Sequence, residues 1–79
     1  MNVYRYGFST ECIMNADLIR YELEIKTSRV IIAEDIMDFP IPEKALHEAL
    51  ADAFFERFGG RQTMIARHGE VDIETRRGP

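Results

Sequence analysis

The 79-residue chain reads as an α+β domain: an antiparallel sheet of about five strands packed on or around a single α-helix, in the order βββαββ. Three observations predict this. From Leu18 to Thr27 the apolar residues Ile19, Tyr21, Leu23 and Ile25 alternate with Arg20, Glu22, Glu24 and Lys26, the period of a strand with one buried face. From Ile41 to Gly60 the residues Leu46, Leu50, Ala53, Phe54 and Phe58 fall on one arc at about 100° per residue, the spacing of a helix laid on a core. Beyond it, Gln62 to Arg67 and Glu70 to Arg76 flank His68-Gly69 and predict a closing hairpin.

The first strand is expected over residues 2 to 9. Tyr4, Tyr6 and Phe8 supply an aromatic inner face, and Gly7 marks a bulge or a close approach to the backbone. The pattern lapses from Thr10 to Asp17, where Asn15 and Asp17 supply turn chemistry. After the second strand and a turn near Ser28, Val30 to Met37 carries β-branched residues on both faces and reads as a third strand, either interior or covered on both sides. Glu34 and Asp35 fall inside it as a charged edge, since adjacent strand residues point to opposite faces and cannot aim two carboxylates at one atom.

Phe39-Pro40-Ile41-Pro42 is a stiff entry to the helix, because a proline disfavours helical geometry in the residue before it. Ile41 can act there as an apolar staple. Pro42 suits the first helical position, Glu43 the positive end of the helix dipole, and either Gly59 or Gly60 the left-handed stop. Glu48, Asp52 and Glu56 follow at i,i+4 steps on the far side, offset in part by Lys44. Phe55 lies off the main arc, so either a strand or loop covers it or it stands as an exposed anchor. In the hairpin, Met64 and Ala66 share a face with Val71 and Ile73 whether the turn centres on His68-Gly69 or on Gly69-Glu70. The terminal Arg76-Arg77-Gly78-Pro79 has nothing to order it and is expected to fray.

A chain of this length has material for one core, so residues 1–79 form a single domain, of modest stability, as a monomer or weak homodimer. One cysteine, Cys12, excludes an internal disulfide and the usual structural zinc site, and it reads as a small buried or half-buried hydrophobe beside the turn. His47 and His68 match no ligand spacing, and no glycine-rich loop opens a helix to cradle phosphate. No cofactor, metal or catalytic residue is assigned, and the chain is read as a non-enzyme. No long apolar segment points to a membrane or to export, so a cytoplasmic location is expected.

The formal charge is −4, from 10 basic and 14 acidic residues. It is concentrated in the middle: between Thr27 and Gly60 stand Arg29, Lys44 and Arg57 against Glu34, Asp35, Asp38, Glu43, Glu48, Asp52 and Glu56. Direct nucleic-acid binding needs cations to displace counterions from phosphates, which this balance opposes. A basic protein surface is the complementary partner. The candidate partner-binding residues are Glu22, Glu24, Glu34, Asp35, Asp38, Glu48 and Asp52.

In size and charge the whole chain, with those carboxylates on or beside strands and on a helix, resembles the small acidic anti-CRISPR proteins of phages and mobile elements. The resemblance implies a protein-binding inhibitor that blocks target DNA binding by a type I CRISPR effector complex, its carboxylates standing in for phosphates on the complex's DNA-binding backbone. A second resemblance is to the tunnelling-fold enzymes of pterin and deazapurine metabolism, in which strand pairs are followed by helices and further strand pairs. Cys12, Asn15 and the strand Ile19-Arg20-Tyr21 are similar to a catalytic cysteine ahead of a strand. The departures are one helix where two are usual, no histidine triad and no assured substrate glutamate. An antitoxin or accessory subunit is a third class.

Overall fold

A computed structural model describes residues 1–42 and 45–79. The element order is β1 (Asn2–Glu11), β2 (Leu18–Thr27), α1 (Ala33–Met37), α2 (His47–Phe58), β3 (Arg61–His68) and β4 (Val71–Arg77). The strands form one antiparallel sheet in sequential order β1-β2-β3-β4, and the helical segment inserted between β2 and β3 covers one face.

The alternation read in the sequence sets that face. Phe8 lies opposite Tyr21, Tyr6 opposite Leu23 and Tyr4 opposite Ile25, while Leu23 and Tyr21 meet Met64 and Ala66 across the next ladder. These even- and odd-numbered positions share one side of the pleat, with Tyr4 and Tyr6 half-buried against the rest. All ten residues of β1 pair in register with β2, so Gly7 makes no bulge; what approaches it closely is the guanidinium of Arg20. In the closing hairpin His68 pairs with Val71, which centres the turn on Gly69-Glu70.

Helix α2 enters this core with Leu50, Ala51, Phe54 and Phe58. Phe54 has no exposed surface, and its ring sits 5.6 Å from Phe8 and 4.6 Å from Phe39 by centroids. One aromatic cluster therefore joins strand, helix and linker. At the helix end, Gln62 is 2% exposed and its Nε2 donates to the carbonyls of Phe54 (3.0 Å) and Gly59 (2.8 Å). Arg29 Nη2, from the segment after β2, donates to the Phe58 carbonyl, one of those the last turn leaves without an intrahelical donor. Gly59, at φ 65°, turns the chain out of the helix and donates its N–H to Phe55 O at 2.9 Å.

Several sequence expectations are corrected. The sheet has four strands and the helices number two among the described residues, giving ββααββ in place of βββαββ. Val30–Met37 is not a strand: Ile31 N–H donates to Tyr4 Oη (2.8 Å), and Ala33–Met37 coils into a short helix with Asp35 N–H on Ile32 O (3.0 Å). An apolar run this short has no periodicity to separate strand from helix, and Glu34 and Asp35 in the first turn favour the helix through its dipole. Val30 is 85% exposed, which rules out an interior strand.

The main helix starts at His47, five residues after Pro42, with the extended Leu46 at its N-cap and no side-chain cap. Leu46 is accordingly 58% exposed and Ala51 takes its place on the buried arc. The roles assigned to Glu43 and Lys44 lie outside the described residues. The C-terminal residues do not fray. β4 continues to Arg77, Arg61 Nε donates to Pro79 O (2.7 Å), and Gly78 packs so closely on Gly60 that a Cβ there would collide with the Gly60 carbonyl and stand 3.2 Å from the Phe55 ring. That strap lies against the half-buried Phe55 ring.

Two outcomes follow from this packing. Phe54→Ala is expected to cost about 3–5 kcal/mol, a large share of the stability of so small a domain, measured by urea unfolding; a loss below about 1 kcal/mol would place the ring outside the core. Burial pushes the Tyr21 phenol above its ordinary value of 10.0; the nearby Thr10 hydroxyl opposes this without closing a hydrogen bond, and Cys12 adds to it. A raised folded-state value means the native protein keeps the proton longer than the unfolded chain, so this contribution is complete below pH 10.0 and is lost as pH rises beyond it. Tyr21→Phe should flatten the alkaline arm of the stability curve, read by thermal melts in steps above pH 10.0.

Candidate interaction surface

The register divides the charges between two sides. The uncovered sheet face carries Arg5, Arg20, Lys26, Arg61, Arg67 and Arg76 against Glu11, Glu22, Glu24, Asp72 and Glu74, near balance. Arg5 Nε stands 3.1 Å from Glu24 Oε2, and Lys26 Nζ 3.7 Å from Glu24 Oε1. A shallow cleft of about 570 Å³ on this face, lined by Glu24, Lys26, Arg61, Glu74 and Arg76 among others, mixes both signs.

The helical side is different in sign. Glu34 and Asp35 on α1, Asp38 just after it, and Glu48, Asp52 and Glu56 on α2 are all exposed, and the described cations there are Arg29, Arg57 and Arg77. Arg29 is turned into the end of α2. Arg57 stands 3.8 Å from Asp35 and 4.7 Å over the Phe58 ring. Glu34, Asp38 and Glu56 have no ion-pair partner among the described residues.

The seven predicted contact residues thus do not form one surface. Glu22 and Glu24 lie on the open sheet face, and Glu24 is already paired. Glu34, Asp35 and Asp38 cluster at α1. Glu48 and Asp52 line one face of α2 and share Arg77: its Nε donates to Asp52 Oδ1 (2.8 Å) and its Nη2 to the Glu48 carboxylate. The hydrogen bonds to Asp52 and then Glu48 push the Arg77 guanidinium's pKa up. Sequence reading missed Arg77 by assigning it to a frayed tail. The strand alternation contained the clue, because Val71, Ile73, Thr75 and Arg77 share a parity and so face the helix together.

Cys12 is buried in the β1–β2 turn, its N–H donating to Asp17 O (2.7 Å) and its Sγ accepting from Met14 N–H (3.4 Å). His47 Nε2 lies 3.8 Å from Glu48 Oε1. Among the described residues no three His, Cys, Asp or Glu side chains gather as a metal-binding group, and no helix is long and apolar enough to cross a membrane. Comparison of the chain with family models, curated proteins and solved structures gives no match.

Because Arg77 ties the edge strand to α2 through two charge-assisted bonds, Arg77→Met should speed amide exchange along α2 and the end of β4 while the far-ultraviolet circular dichroism is retained. Unchanged exchange would mean the clasp holds nothing in place.

Proposed function

We propose that the protein is a non-enzymatic inhibitor that binds a basic protein surface through its helical side. The observation that carries this reading is the separation of charge, with the exposed carboxylates of α1 and α2 on one side of the sheet and a self-compensating lattice on the other. Glu34, Asp35 and Asp38 are the first contacts, since they cluster on and just after a short helix and only Asp35 has a cation near it among the described residues. Glu48 and Asp52 contribute as acceptors already oriented by Arg77. A row of oriented carboxylates offers lysine and arginine what phosphates offer, so the class of target is a surface built to hold nucleic acid, such as the DNA-binding backbone of a type I CRISPR effector complex. On this reading the protein is an anti-CRISPR protein acting in the cytoplasm.

A pull-down of the tagged chain from cells expressing such a complex, at low and high salt, tests it. Recovery of a basic nucleic-acid-binding subunit at low salt is expected, lost as salt rises because exposed pairs are screened over about 10 Å at 0.1 M. Changing Glu34, Asp35 and Asp38 together to lysine should abolish inhibition with the melting temperature kept. Glu48→Gln with Asp52→Gln should weaken it less. Salt-independent binding, or inhibition that survives the triple reversal, would sink the acidic-surface reading; recovery of a neighbouring gene's product would point to an antitoxin or accessory subunit.

A second reading rests on topology. The order ββααββ with a sequential antiparallel sheet follows the strand-pair, helices, strand-pair unit of the tunnelling-fold enzymes and supplies two helices where the sequence suggested one. Cys12 would then sit ahead of β2 as the reactive group. Against it stand the burial of that thiol and its bond from Met14 N–H. Co-purification of a purine or pterin, together with loss of function in Cys12→Ser at unchanged stability, would favour the enzyme.

A further inference from the structure

The two edges of the sheet are guarded very differently. β4 is short and carries Asp72, Glu74, Arg76 and Arg77, and Arg77 draws α2 onto it. Strand edges protected by charge and by a covering helix resist further pairing. β1 is less guarded: it runs ten residues without a proline, a lysine or a bulge, its charges are Arg5 and Glu11 alone, and its far side meets no other strand among the described residues. Beside it lies a surface cleft lined by Val3, Tyr4, Tyr6, Ala33, Met37 and the charged Arg5, while Ile13 and Met14 are exposed at the far end of the strand.

We infer that this edge pairs with the same edge of a second copy of the chain, antiparallel about a twofold axis at Phe8, to make one continuous eight-stranded sheet. The register follows from charge. A twofold axis perpendicular to the sheet keeps both inner faces on one side and requires the two residue numbers of each facing pair to have an even sum. β1 carries only two charges, Arg5 and Glu11. Centred on Gly7, Arg5 would face Ser9 and Glu11 would face Val3; centred on Arg5, two arginines would meet; centred on Ser9, Glu11 would face Gly7. Centred on Phe8, Arg5 of each copy faces Glu11 of the other, so one register neutralises both charges twice.

The same register lays Tyr6 against Thr10 and Phe8 against Phe8 on the inner face. It also brings Val3 and its cleft toward the Ile13–Met14 turn of the other copy. Glu11 has no ion-pair partner among the described residues, and Arg5, three-quarters exposed beyond its bond to Glu24, has donors to spare. The inference does not rest on the functional reading. Both helical layers fall on the same side of the joined sheet, with each α2 over its own β3 and β4 at the outer ends.

Sedimentation velocity over a concentration series tests it with a charge swap. The parent should dimerise, and its dimer should weaken as salt rises. Glu11→Arg or Arg5→Glu alone creates two like-charge pairs and should raise the dimer dissociation constant about tenfold, whereas the double variant Arg5→Glu/Glu11→Arg should return it to near the parent value. Thermal melts of each variant verify that the monomer is folded, and the two single variants serve as checks on each other. A parent that stays monomeric throughout, a dimer indifferent to either reversal, or a double variant no better than the singles would each overturn the assignment.

Discussion

The structure depends on how the last turn of α2 is fastened. A twelve-residue helix is marginal alone and must be positioned by what it packs against. Here Phe54 and Phe58 supply the apolar part, and the polar part comes from Arg29, which donates to the open Phe58 carbonyl, and from Gln62, which donates to the carbonyls of Phe54 and of Gly59 just past the helix. Gln62 belongs to β3 and Arg29 to the segment after β2, so the helix end is bonded to β3 and to the chain leaving β2. The Tyr4 hydroxyl then accepts from Ile31 N–H, and Asn2 Nδ2 donates to Arg29 O at 3.1 Å, which carries the same restraint across to β1. Losing the Gln62 amide would leave the part-buried Gly59 carbonyl without this donor, a larger penalty than the bond's net contribution when present.

How charge is arranged follows from this placement. With α2 seated over β3 and β4, its outer face and α1 become the exposed helical side, while the uncovered sheet face must be soluble by itself. That face achieves solubility by mixing signs in neighbouring rows, as with Arg5 beside Glu24 and Arg67 3.9 Å from Asp72. The excess of acid is left to the helices. A net charge of −4 therefore understates how one-sided the molecule is.

What the sequence revealed and what it hid have physical causes. β2, its alternation unbroken over ten residues, was legible to its exact bounds, and the β3–β4 hairpin nearly so, because period two on a half-buried sheet has one interpretation. Val30–Met37 was not, since its β-branched residues suggest a strand while its fate is set by a tertiary bond from Ile31 to Tyr4. The start of α2 was misplaced because Pro42 suited a helix start that the chain did not use. Of the candidate surface, the residues were readable but their grouping was not. Glu22 and Glu24 could be assigned to the polar face of β2, yet which side of the sheet the helices would take, and that Arg77 would reach Glu48 and Asp52, emerge only once the sheet is closed.

The sequential sheet conceals a long interruption. β1 with β2, and β3 with β4, are hairpins whose strands are joined by short turns, but β2 and β3, neighbours in the centre of the sheet, are separated by all of residues 28–60. Each hairpin closes a small loop, at little entropic expense, whereas the central ladder from Arg20–Arg67 to Lys26–Arg61 brings together residues far apart in the chain. Contacts of that separation slow folding. The topology therefore orders assembly as two hairpins first and their central seam last, with α2 as the part whose docking draws the halves together.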